Sequence, residues 1–165
     1  MRGYLGLKEL VDELTTELSR PNLWQRSSIT QINLKEKVRE VAESYLMSRL
    51  APLGLEYKIW RDVSELGNEG IMPVYAFGAV YAPDMAIEVA DKPTLAIYCR
   101  LLKAGTRITE KIGATIGEAM ICSHQYPAVA VLFLYSGRRV DYMHFLDQEI
   151  IMDLWRSHKV RVCFP

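Results

Sequence analysis

Residues 83–105 read PDMAIEVADKPTLAIYCRLLKAG and residues 116–135 read IGEAMICSHQYPAVAVLFLY. The first stretch alternates with the period of a strand. The pleat sets Asp84, Ala86 and Glu88 on one face and Met85, Ile87 and Val89 on the other. Asp91-Lys92-Pro93 predicts a turn, after which Thr94–Leu102 forms the second arm of a hairpin. On that arm Leu95, Ile97, Cys99 and Leu101 share one face, while Ala96, Tyr98, Arg100 and Leu102 share the other. The run AVAVLFLY at 128–135 is apolar throughout, as expected of a strand covered on both faces. Between these strands a helix is predicted over Thr109–His124, with Thr109 as its cap and Glu110 in its first turn. Gly113 and Gly117 cost that helix about 1 kcal/mol each against alanine, and their spacing suggests that it lies close on the sheet. Strand, helix and buried strand in this order imply a right-handed crossover and a partly parallel sheet.

Outside this centre, Leu7, Leu10, Val11, Leu14 and Leu18 mark a helix over 7–19 that Pro21 stops. Residues 21–33, with Trp24, read as an arm. A second helix is predicted over 34–50, capped by Asn33 and ended by Pro52 and Gly54. LEYKIWR at 55–61 alternates like a strand, 64–73 is a loop, and VYAFGAV at 74–80 reads as β. A short strand over 140–145, a helix over 147–158 and a last strand at 159–164 follow, with a charged turn at Arg138-Arg139. The class is α/β (α+β): a mixed central sheet flanked by helices. Residues 1–33 form an N-terminal helix and arm, and 34–165 a single domain.

With 165 residues, half of them hydrophobic and 24% charged, the chain can bury a substantial core. Twenty basic residues balance twenty acidic ones, so any attraction to nucleic acid must come from a local patch. One such patch lies over 92–111, where Lys92, Arg100, Lys103, Arg107 and Lys111 face the single acid Glu110. No apolar run approaches the roughly 20 residues of a bilayer span and no secretory leader is evident, so a cytoplasmic protein is expected. Cys99, Cys122 and Cys163 have no pairwise spacing and are expected as reduced, buried thiols. The histidines likewise lack zinc-ligand spacing.

The hairpin, helix and buried strand, preceded by the 34–50 helix, resemble the core of restriction-endonuclease-like, or PD-(D/E)xK, nucleases. In that superfamily a Pro-Asp pair heads one strand and an acid-x-Lys triplet lies on the next. Pro83 and Asp84 match. Tyr98 stands where the second acid belongs and Arg100 where the lysine belongs. The resemblance implies an Asp84-bound Mg²⁺, DNA as substrate and a homodimer. A tyrosine is a poor Mg²⁺ ligand at neutral pH and an arginine cannot act as a base, although it can hold a phosphate. The triad as it stands should therefore not cut DNA.

A displaced acid could come from Glu118 on the crossover helix or from Glu40 or Glu43 on the leading helix. Glu88 lies about 13 Å along the strand from Asp84. Asp84, Tyr98, Arg100 and Glu118 are accordingly the candidate catalytic residues, and Arg100, Lys103, Arg107 and Lys111 the candidate nucleic-acid contacts. Three functions remain open at this point: a nuclease-like module that binds nucleic acid or assembles with weak or lost hydrolysis, an active Mg²⁺-dependent endonuclease, and a protein-interaction module.

Overall fold

The computed structural model describes residues 6–24, 28–61, 71–104, 107–137 and 147–165. Its helices are α1 (Leu7–Leu18), α2 (Gln31–Leu50), α3 (Ile108–Cys122) and α4 (Gln148–His158). The strands are β1 (Tyr57–Arg61), β2 (Val74–Ala76), β3 (Ala79–Tyr81), β4 (Met85–Val89), β5 (Lys92–Leu102), β6 (Ala128–Tyr135) and β7 (Val160–Cys163). Five of them form one mixed sheet in the order β1-β4-β5-β6-β7, and β2 and β3 pair separately. The β1–β4 and β4–β5 pairs are antiparallel, whereas β5–β6 and β6–β7 are parallel. The predicted class and the mixed sheet are both observed.

The alternation of β5 divides the interior. Leu95, Ile97, Cys99 and Leu101 pack with α1 and α2 on one face. Ala96, Tyr98 and Leu102 pack with α3, α4 and the β2–β3 hairpin on the other. All eight positions of β6 are buried because helices cover both of its faces and strands both of its edges. The N-terminal helix shares this interior: Leu10, Val11, Leu14 and Leu18 are buried, and Asp12 pairs with Arg161 of β7. Trp24 is buried as well and donates its indole N–H to the Leu18 carbonyl. The three cysteines are free and buried.

Several sequence expectations need correction. VYAFGAV is two short strands, turned at Phe77 and Gly78, which both take positive φ as a two-residue hairpin turn requires. The β4–β5 turn falls at Ala90-Asp91, and Pro93 lies inside β5 at a register shift, where its missing N–H is tolerated. Helix α2 starts three residues before the expected position. Its cap is Thr30, whose hydroxyl accepts from the Asn33 N–H. Helix α3 begins after Arg107, so Thr109 lies inside it and caps nothing. The expected strand at 140–145 and the Arg138-Arg139 turn lie outside the described residues.

Gly113 and Gly117 do not serve close packing. Among the described residues a Cβ at either position would meet nothing within 4 Å, because both lie on the side of α3 opposite its buried residues Thr115, Ala119 and Cys122. Their cost to the helix is therefore uncompensated by packing. Gly113→Ala and Gly117→Ala should each stabilise the fold by about 0.5–1 kcal/mol, read as a higher thermal midpoint. A lower midpoint in either variant would mean that something packs on this face of α3.

Candidate functional site

Asp84 lies one residue before β4, at the point where that strand stops pairing with β5. Its N–H donates to the Ile97 carbonyl at 3.0 Å, the last backbone bond of that pair. Beyond Ile97 the β4-facing edge of β5 carries unpaired backbone groups in the interior, where leaving them unmet is costly. Side chains satisfy them instead. The Asp84 Oδ2 accepts from the Cys99 N–H at 2.8 Å. Gln31 donates to the Cys99 carbonyl at 2.7 Å and accepts from the Leu101 N–H at 2.8 Å. Lys111 donates to the Leu101 carbonyl at 2.7 Å.

On this side-chain-completed edge sits an ion-pair cluster. The Arg100 Nη1 donates to Asp84 Oδ2 at 2.5 Å and to the Cys99 carbonyl at 3.0 Å. Its Nη2 reaches Glu118 of α3 at 3.1 Å. The Lys35 Nζ of α2 lies 2.6 Å from Asp84 Oδ1. The Asp84 side chain is 9% exposed and that of Arg100 20%, so these charges meet under partial desolvation and attract more strongly than surface pairs do. Arg100 also lies over the Tyr98 ring, 5.3 Å from its centroid.

The candidate residues fall into distinct groups. Asp84, Arg100 and Glu118 come together as one cluster. Tyr98 has the expected pleat parity, but its hydroxyl is sealed against the Cys122 Sγ at 2.9 Å and the residue is fully buried. Tyr98 and Arg100 are not a surface pair on an edge strand, because β5 is the central strand of five. Burial, reinforced by Cys122, pushes the Tyr98 phenol further up from its already high range. Glu88 lies at the other end of β4, opposite Pro93. Glu40 and Glu43 are exposed on α2 beside Lys37 and Arg39. Among the displaced acids considered, Glu118 is the one that shares a partner with Asp84.

The basic stretch is dispersed. Lys92 stands at the far end of β5, and Arg107 is exposed and paired with Glu110 at 3.3 Å. Lys103 and Lys111 stay near Arg100. Burial, then the charges of Arg100 and Lys103, lowers the Lys111 ammonium from its ordinary range. Gln31 and Lys35 join the site from α2 with no motif in the sequence to mark them. Their four-residue spacing on one face of α2 was the only available signal.

The Mg²⁺ implied by the resemblance does not fit these residues as they stand. Both Asp84 oxygens already face cations, Glu118 is held by the same guanidinium, and the Tyr98 phenol is protonated and turned to Cys122. Among the described residues no group of three His, Cys, Asp or Glu side chains could hold a metal ion. None of their helices is long and apolar enough to cross a membrane. The chain matches no family model, no curated protein and no solved structure.

Proposed function

We propose that the chain is a nuclease-like domain that binds nucleic acid and has lost metal-dependent hydrolysis. The observation carrying this reading is the Arg100 guanidinium, which engages both carboxylates that a metal ion would need. It acts as a built-in cation at the position of metal chemistry. Further support comes from the element order, in which a leading helix, an Asp-headed hairpin, a crossover helix and a buried parallel strand follow the superfamily pattern. Arg100 and Lys111 lie together at this end of β5, with the Lys103 charge acting on Lys111, and a positive cluster of this kind is what a phosphate backbone meets. A second reading, an active endonuclease, draws on the meeting of Asp84 and Glu118 on one group.

One assay separates the two. Supercoiled plasmid and branched DNA incubated with Mg²⁺ or Mn²⁺ should remain intact, while DNA retention should weaken with salt. Lys103→Ala should reduce the slope of log affinity against log salt by about one. Cleavage that disappears in Glu118→Ala would overturn the loss of hydrolysis in favour of the enzyme. Absence of any DNA retention would overturn the binding function.

A further inference from the structure

We draw no further inference here: the strongest candidate, the exposed apolar patch of Tyr75, Phe77 and Val80 on the β2–β3 hairpin, carries nothing because nothing in the structure shows what covers it.

Discussion

Asp84→Ala should lower the unfolding free energy by about 3–5 kcal/mol, the range for removing one partner of a buried charged network. Three contacts go together. The buried Cys99 N–H loses its acceptor, which by itself costs about 1–3 kcal/mol. Arg100 loses the nearer of its two carboxylates, and Lys35 loses its partner at 2.6 Å. The Lys35 term is small, because that side chain is 41% exposed and water screens it. Asp84→Asn keeps an acceptor for Cys99 and should lose less. Urea unfolding measures both variants, with the midpoint falling at unchanged slope. A midpoint equal to or above the wild type would indicate a carboxylate held at the expense of stability, as functional groups often are, and would argue for the enzyme.

Arg100→Ala should cost about 2–4 kcal/mol and create a response to divalent cations that the wild type lacks. With the guanidinium gone, Asp84 and Glu118 lose the cation they share, and Asp84 keeps its pair with Lys35. An oxygen-preferring ion such as Mn²⁺ or Mg²⁺ can then neutralise them. At a concentration about ten times the dissociation constant, binding would restore about 1.4 kcal/mol, a rise of roughly 3–5 °C in the thermal midpoint. The wild-type midpoint should not move under the same addition. No Mn²⁺ response in the variant would mean that the two carboxylates do not converge without the arginine. An equal response in the wild type would mean that a metal is held elsewhere.

Both variants probe the same feature, a strand edge completed by side chains. Where β4 ends, β5 still has backbone groups to satisfy, and Asp84, Gln31 and Lys111 satisfy them. In this arrangement Asp84 is as much a structural residue as a candidate site residue. Its two roles are separable by experiment, because a structural carboxylate shows in stability and a catalytic one in activity.

How much of this was readable beforehand varies with the range of the interaction. The apolar run of β6 and the two faces of β5 followed from residue patterning, since a period of two and continuous apolarity are local properties. That parity already placed Tyr98 and Arg100 on the face of the Asp84 hairpin. The apolar run VYAFGAV conceals the Phe77-Gly78 turn, with Gly78 its one mark of a break. The apolar stripe that begins at Leu34 points to Asn33 as the cap and puts Gln31 in the arm, whereas the helix starts at Gln31 under Thr30.

The amino-acid order by itself thus determined the sheet-and-helix class and the strand faces, while the candidates Asp84, Tyr98, Arg100 and Glu118 came from the resemblance those strands carry. Tertiary structure alone decided that Arg100 joins both acids, that Lys35 and Gln31 complete the cluster, that Tyr98 is sealed on Cys122, and that Gly113 and Gly117 face away from the sheet. The physical reason is that periodicity reports which way a side chain points, whereas its charge and hydrogen-bond partners are set by proximity. Gln31 and Cys99 are 68 residues apart along the chain, and only the folded layers bring them within 2.7 Å.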